Sequence, residues 1–441
     1  MTRLTIDADY LAKVLRKLLA IPSPTGYTDT IVRFVAKELA SFDLKVELTR
    51  RGAIRANRPG GTHLGARALV AHVDTLGAQV KRLKDNGRLA LVPIGTWSAR
   101  FAEGARGIIF TEKGSYSGTI LPLKASGHTF NDEVDRLPIG WDHVEMRVDA
   151  RARNADDLAH LGFEVGDIIA IDPQPEFLDS GFIVSRHLDD KAGVAVMLAA
   201  LKALHDAKAE TPVDIHWLFS ISEEVGVGAS AVLTADVASL VVIDNGTTAP
   251  GQNSDEFGVT LSTADQSGPF DYHLTKKLAE LCRTNDIRYQ KDLFRYYRSD
   301  SASAVIAGAD VRTALITFGV DASHGYERIH MHALRSLAEL VTAYVVSPVE
   351  ITRDFQPTAD LRGFTRQPTK EAVPELSPRA RTRIWRNSRL VKNLPRDAPH
   401  PERPGAFVAV RARNVRPHLS TKRRRNPHSA GIFRSRFSSS R

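Results

Sequence analysis

The stretch Ala68-Leu69-Val70-Ala71-His72-Val73-Asp74 sets the reading of the whole chain. Four small or aliphatic residues in a row suit a strand covered on both faces, and a polar pair follows where the run ends. The same pattern returns three times. Ile215-His216-Trp217-Leu218-Phe219-Ser220-Ile221 runs into Glu223-Glu224, Leu240-Val241-Val242-Ile243 into Asp244, and Ala314-Leu315-Ile316-Thr317-Phe318 lies shortly before His324. Helical periodicity falls between these runs. It covers Asp7–Ala20 and Asp29–Ala40, separated by the breaker Pro22-Ser23-Pro24-Thr25-Gly26, and later Val194–Leu204 and Met331–Val345. Short buried strands alternating with helices predict an α/β fold. Polar groups at the C-terminal ends of such strands lie where open α/β sheets hold their ligands. Asp189, just ahead of Val194–Leu204, belongs at a strand-to-helix turn.

Those polar groups make a chemical inventory. A pair of divalent ions needs an imidazole and a terminal carboxylate for each ion, plus a carboxylate that bridges them. A further carboxylate, free of metal, must take the proton from the attacking water. His72, Asp189, Glu223, Glu224, Asp244 and His324 supply this set. Asp74 can orient the His72 ring from behind. Each group also has a plainer explanation. Asp189 and Asp190 can cap the helix that follows, and two adjacent glutamates often make a solvated helix face. Glu223-Glu224 instead ends a strongly apolar run, which favours burial. Asn245-Gly246 would make Asp244 part of an ordinary turn. His330 and His332 compete with His324 but open a helical pattern. His216 reads as a core histidine, His187 as a lesser candidate for the substrate pocket, and Cys282, on a helical run, as a buried apolar residue.

Residues 75–171 have another texture. Gly107-Ile108-Ile109-Phe110, Gly118-Thr119-Ile120-Leu121, Val144–Asp149 and Asp167–Ile171 alternate with turns and predict a small β-rich domain set into the α/β domain. The expected organisation is 1–74 and 172–354 for the two parts of the α/β domain, 75–171 for the insert, and 355–441 for a tail. The tail carries 21 Lys and Arg against 5 Asp and Glu, whereas residues 1–354 carry 39 against 46. Ten prolines and no periodicity predict a disordered extension. Its run Lys422-Arg423-Arg424-Arg425 offers a third, nucleic-acid-binding reading. One cysteine excludes an internal disulfide framework and points to a reducing compartment. The amphipathic start is not a signal-peptide pattern, and no apolar run approaches a membrane span. A soluble, cytoplasmic protein is the expectation.

From about residue 7 to 350 the chain resembles the deblocking, or glutamyl, aminopeptidase family of di-zinc peptidases. The motifs are His72-Val73-Asp74, then Val165-Gly166-Asp167 with Asp172-Pro173. Asp189-Asp190-Lys191-Ala192-Gly193, Glu223-Glu224-Val225-Gly226, Asp244, Ser299-Asp300-Ser301 and His324-Gly325-Tyr326-Glu327 complete them. The resemblance implies an α/β/α sandwich with a mixed sheet and two Zn²⁺ per subunit, with Co²⁺ a substitute. It implies His72, Asp189, Glu224, Asp244 and His324 as ligands, with Asp189 bridging and Asp190 capping or supporting. Glu223 would be the general base, and Asp300 would either help bind the substrate amine or serve as a turn aspartate. Short peptides would be the substrates, and the insert would build dimers that join into a hollow dodecamer. The chain departs from the pattern at Thr75, where Glu is frequent, at Lys191 in place of Arg, and at Gly325-Tyr326 in place of Ser-Pro. It is also similar to a branch that accompanies synthesis of an acetylated glutamine-dipeptide osmolyte. Di-zinc deacylases and dipeptidases share several motifs, but they place their extra domain after the Glu-Glu pair. Here the long insert precedes Asp189, which favours the aminopeptidase.

Overall fold

The four apolar runs lie side by side and parallel at the centre of an eight-stranded mixed sheet. In this computed structural model, which describes residues 3–356 and 360–368, the strand order begins Val46–Leu48, Ile54–Arg58, Ile215–Ser220, Ala66–His72. It continues Val237–Thr247, Arg312–Val320, Val259–Ser262, Tyr289–Asp292. Every residue of Ala66–His72 and of Ile215–Ser220 is buried, as their continuous apolar character requires. Register sets Ser220 beside His72 and Asp244 beside Thr317. The chain therefore leaves all four central strands at one edge, carrying His72, Glu223, Glu224, Asp244 and His324 with it. The flanking strands Ile54–Arg58 and Val259–Ser262 pair antiparallel to the central four. They are short and mixed in polarity, so no apolar run announces them.

Helix Leu188–Asp206 lies across strands Ala66–His72 and Val237–Thr247, flanked by helices Ala8–Leu19 and Met331–Val346. It is buried nearly all round, which fits its sequence Val194-Ala195-Val196-Met197-Leu198-Ala199-Ala200-Leu201. Asp189 and Asp190 at its start depart from helical geometry. Gly193 is required one turn on, because a Cβ there would stand 2.3 Å from Asp190 Oδ1. Asp7 caps the first helix by accepting from Tyr10 N at 2.9 Å.

Between Gly77 and Ile171 six antiparallel strands close into a barrel. Their order is Gly77–Leu83, Arg88–Ile94, Val144–Val148, Gly114–Pro122, Arg106–Thr111, Ile168–Ile171, and the last pairs back to the first. The barrel has its own apolar core, including Val80, Leu91, Ile109, Ile120, Met146 and Ile169, separate from the core of the large sheet. Closure leaves no free sheet edge. Trp97, just beyond Ile94, fastens the barrel to its stem: its Nε1 donates to Gly77 O at 3.0 Å, and its ring meets Trp141 edge-on at 4.9 Å.

Among the described residues no helix is long and apolar enough to cross a membrane. After the last long helix the chain stays attached through Asp354, whose Oδ1 pairs with Arg312 Nε at 2.8 Å. From 369 onward the basic segment, with Lys422–Arg425, lies outside the described residues.

Candidate metal centre and cleft

His72 ends its strand with the ring turned inward. Its Nδ1 donates to the carbonyl of Asp74 at 3.0 Å, which leaves Nε2 3.0 Å from Asp189 Oδ1. His324 repeats the arrangement from the opposite side. Its Nδ1 donates to Thr96 O at 2.8 Å, and its Nε2 stands 3.3 Å from Asp189 Oδ2. One carboxylate thus offers one oxygen to each imidazole. A backbone carbonyl fixes each ring and aims its second nitrogen at the centre, as in histidine metal ligands.

Around this axis the other carboxylates converge. Donor atoms of His72, Asp189 and Glu224, and separately of His72, Asp190 and Asp244, lie within 4.8 Å of one another. Glu224 Oε2 is 3.9 Å from His324 Nε2, and Glu223 Oε2 is 3.8 Å from His72 Nε2. Burial of so many acids has electrostatic consequences. Burial first, then neighbouring charges such as Asp244 for Glu223 and Asp189 for Glu224, holds both glutamates well above the carboxylate range. Burial and then Asp189 push Asp244 up to about 7. Burial opposes ionisation of Asp189 as well, yet hydrogen bonds from His324 and His72 outweigh it and keep that acid lowered. Burial also opposes charge on His324, but Asp189 and Glu224 raise it to about 10. The protein supplies too little positive charge for its acids, and Asp190 Oδ1 is buried without a partner. Nitrogen and oxygen donors in this excess fit divalent cations.

Backbone geometry holds the set together. Ser222 and His324 both adopt positive φ, 63° and 64°, at the turns that project Glu223 and the second imidazole. Asp74, expected behind His72, meets that ring chiefly through its carbonyl. Its carboxylate accepts from Thr25 Oγ1 at 2.6 Å and from Glu223 N at 3.2 Å, so it ties the Glu223 turn to the end of strand Ala66–His72. Asp190 accepts from His72 N at 3.2 Å. Asp300 is 1 % exposed, and both its oxygens are engaged by the Glu223 loop, at 2.5 Å from Ser220 Oγ and 2.7 Å from Ala229 N. It stands so close to Gly228 that a Cβ there would overlap it at 1.7 Å. Asp300 is not among the residues that line the cleft.

Four contributors were not expected from the sequence. Asn245 Nδ2 donates to Asp189 Oδ2 at 2.5 Å. Glu327, quoted only as part of a motif, accepts from the backbone N–H groups of Leu188, Asp189 and His324 at 2.8, 3.2 and 3.0 Å. It thereby joins the turn that carries Asp189 to the turn that carries His324. Thr96 of the barrel and Leu76, the residue just before its first strand, supply the other two, Thr96 O to His324 and Leu76 N to Glu224 Oε1 at 3.0 Å. A glutamate accepting three N–H groups could have been sought in the motif; the two backbone groups could not.

Two of the other histidines serve the fold. His216 pairs with Asp236 at 2.6 Å, and His330 caps its helix by accepting from His332 N. His187 is buried with Nε2 3.0 Å from Ile171 O; burial, helped by Lys191, lowers it to about 3. Cys282 is free and buried.

A cleft of about 780 Å³ opens over the centre, lined by Glu223, Glu224, Asp189, Asp244 and His324 on its floor and by Gln252, Tyr296, Tyr297 and Arg298 on its wall. A buried two-imidazole, multi-carboxylate centre at the C-terminal edge of an α/β sheet, open to such a cleft, defines a metal-dependent hydrolase. The chain belongs to the M42 glutamyl aminopeptidase family, whose profile matches residues 52–340. It is a metallo-aminopeptidase, cleaving the N-terminal residue from peptides. A Bacillus subtilis (strain 168) protein named "Putative aminopeptidase YhfE" is 37% identical over 338 residues, covering 76% of this chain and 97% of its own length. The fold is shared with an aminopeptidase of the archaeon Desulfurococcus kamchatkensis, with TM-score 0.68, 23% identity, and 77% of this chain and 95% of that one covered. It is also shared with the Pyrococcus horikoshii TET1 peptidase, which can assemble into a tetrahedron or a large octahedral shell (TM-score 0.67, 22% identity, 77% and 100% covered). The family favours the aminopeptidase reading over the deacylase one.

Proposed function

We propose that this aminopeptidase works through two Zn²⁺ ions, with Co²⁺ able to substitute. His72 and Asp244 would hold one ion, Glu224 and His324 the other, and Asp189 would bridge them. The observation that carries the assignment is the division of Asp189, one oxygen toward each imidazole at 3.0 and 3.3 Å. When bound, such a pair polarises the scissile carbonyl, lowers the pKa of its water and favours the anionic form of the surrounding carboxylates.

The remaining work falls to the chain. Glu223 is the carboxylate left over from the ligand set, and it projects into the cleft from the turn held by Asp74 and Asp300. It accepts the proton of the attacking water and delivers it to the leaving amine, while the C–N bond breaks. Asp74, Asp190, Asn245 and Glu327 keep the ligands in place. Asp300 supports the Glu223 turn, and the amine falls to the acidic floor of the cleft. Short peptides are the substrates, since the cleft accommodates a few residues. The barrel and the assembling relatives support a homo-oligomer, a dodecamer being the expected form. The single buried thiol supports a cytoplasmic location.

The test is a panel of aminoacyl and acetylated substrates, assayed before and after chelation, with elemental analysis. Hydrolysis that disappears with the metal and returns with Zn²⁺ or Co²⁺ is expected. Full activity in protein proven metal-free would sink the proposal.

A further inference from the structure

The segment Pro22-Ser23-Pro24-Thr25-Gly26 separates the first two helices, and the scheme above gives it no task. Two prolines and a glycine explain why no helix runs through it. They do not explain where it lies. The segment runs beside Val73, Asp74 and Thr75, at the exit of strand Ala66–His72. Thr25 N donates to Thr75 O at 3.1 Å, Thr75 N to Ser23 O at 2.9 Å, and Ser23 Oγ to Val73 O at 2.8 Å. From helix Leu188–Asp206, Lys191 Nζ donates to Ile21 O at 2.6 Å. On the barrel side Pro24 packs so closely that a Cβ on Gly77 would stand 2.7 Å from its own Cβ. With the backbone fixed from three directions, the direction of the Thr25 hydroxyl is fixed too.

That hydroxyl donates to Asp74 Oδ2 at 2.6 Å, while Asp74 Oδ1 accepts from Glu223 N at 3.2 Å. Asp74 is fully buried, where a carboxylate is costly unless its oxygens are hydrogen-bonded. A competing partner stands close by: Oδ1 is 3.6 Å from His72 Nδ1. The Thr25 bond holds Oδ2 and so keeps Oδ1 turned toward Glu223 N. The turn that receives this bond needs holding, because Ser222 has φ 63°, and such a conformation at a non-glycine residue persists only where its surroundings impose it. We propose that Thr25 is a positioning residue for Glu223: through Asp74 it fixes the Glu223 turn, and with it the line along which that carboxylate meets the attacking water. This rests on the aminopeptidase reading and on Glu223 as base. A base must stay within hydrogen-bond reach of the proton it takes, and a shift of about 1 Å costs as much as 10²-fold in rate. The His72 ring does not depend on Thr25, since its Nδ1 donates to the Asp74 carbonyl at 3.0 Å.

The experiment uses the full chain loaded with Zn²⁺ and compares wild type, Thr25→Val and Thr25→Ser. Valine keeps the shape and removes the hydroxyl, so kcat should fall by about 10–100-fold, with KM and bound metal unchanged. Serine keeps the hydroxyl and should recover most of that rate. Repeating Thr25→Val in Glu223→Gln locates the effect: with no base left to aim, the second substitution should cost little more. An unchanged kcat in Thr25→Val overturns the proposal. Equal impairment by valine and serine also overturns it, since packing and not the hydroxyl would then be responsible. So does a loss reversed by added metal, which would place Thr25 behind His72, or a full further loss on top of Glu223→Gln. Thr25→Ala is assayed in parallel, so a valine variant that does not fold leaves the comparison standing. The controls separate the readings. No turnover in wild type defeats the aminopeptidase reading, and full turnover in Glu223→Gln defeats the base, whereas an unaltered Thr25→Val defeats only the role of Thr25.

Discussion

The edge of the large sheet and the inserted barrel both reach the metal centre, by different means. The sheet contributes side chains: His72, Glu223, Glu224, Asp244 and His324 sit at or just beyond the ends of four parallel strands. The barrel and the residue that leads into it contribute backbone: Thr96 O holds the His324 ring, and Leu76 N, just before the first barrel strand, holds Glu224. One region provides the chemistry and the other fixes where two of its groups point. A module that looks separate by its core is therefore coupled to the site through two hydrogen bonds. Phe101 of the barrel adds a contact, standing 3.2 Å from the position a Cβ would take on Gly325.

The sharpest way to test the sheet side is to separate its adjacent glutamates. Glu223→Gln should retain metal while kcat falls by ~10²–10⁴-fold, the usual cost of losing a general base. Glu224→Gln should instead lose one metal first and recover in part when metal is added. Stoichiometry measured beside kcat decides, and the reverse pattern would exchange the two assignments.

The barrel side is tested by Trp97→Phe, which removes the donor to Gly77 O beside Thr96. Loosening a group that orients a ligand typically weakens metal affinity by about 10–100-fold. The loss should be confined to the ion held by His324 and Glu224, read by competition with a chelator. Unaltered affinity would show that the barrel does not steer the site.

Glu327→Gln probes the joint between the two His324 and Asp189 turns. Glutamine offers one acceptor oxygen where two accept now, leaving a buried N–H unsatisfied at a cost of about 1–3 kcal/mol. A lower melting temperature should result, partly offset by saturating Zn²⁺.

Removing the metals should also make stability depend on pH. In the metal-free protein, burial and then Asp189 raise Asp244 to about 7 and Glu327 to about 8. His324 is raised to about 10 by Asp189 and Glu224 against burial. All three folded-state pKa values exceed the unfolded ones, so the folded state binds more protons from about pH 4 upward. Stability is then lost as pH rises through that range. The melting temperature of chelated protein should fall from pH 5 to 8 more steeply than that of loaded protein; parallel curves would contradict the excess of acid.

The smallest effect is expected at the end of the chain. Ending it at residue 368 should leave the kinetic constants unchanged. Ending it before Asp354 should lower stability, because Arg312 would lose the carboxylate 2.8 Å away.

How much could be read in advance follows from where information sits in a chain. The four central strands were legible because burial on both faces demands unbroken apolar runs, and the polar groups that converge at their ends because metal chemistry demands His, Asp and Glu there. The edge strands Val46–Leu48 and Tyr289–Asp292 were not, since a short, half-exposed strand carries no such demand. By itself the sequence determined the fold class, and it supplied the expectation of an insert and of the groups proposed to hold metal. The tertiary structure alone decided that Asp189 faces both imidazoles and that Asp300 lies under the Glu223 turn. It also decided that the Thr96 carbonyl of the barrel meets the His324 ring. These are matters of direction and distance between residues far apart in the chain. Backbone carbonyls and N–H groups such as Thr96 O and Leu76 N are the same in every residue, so no choice of amino acid records the work they do.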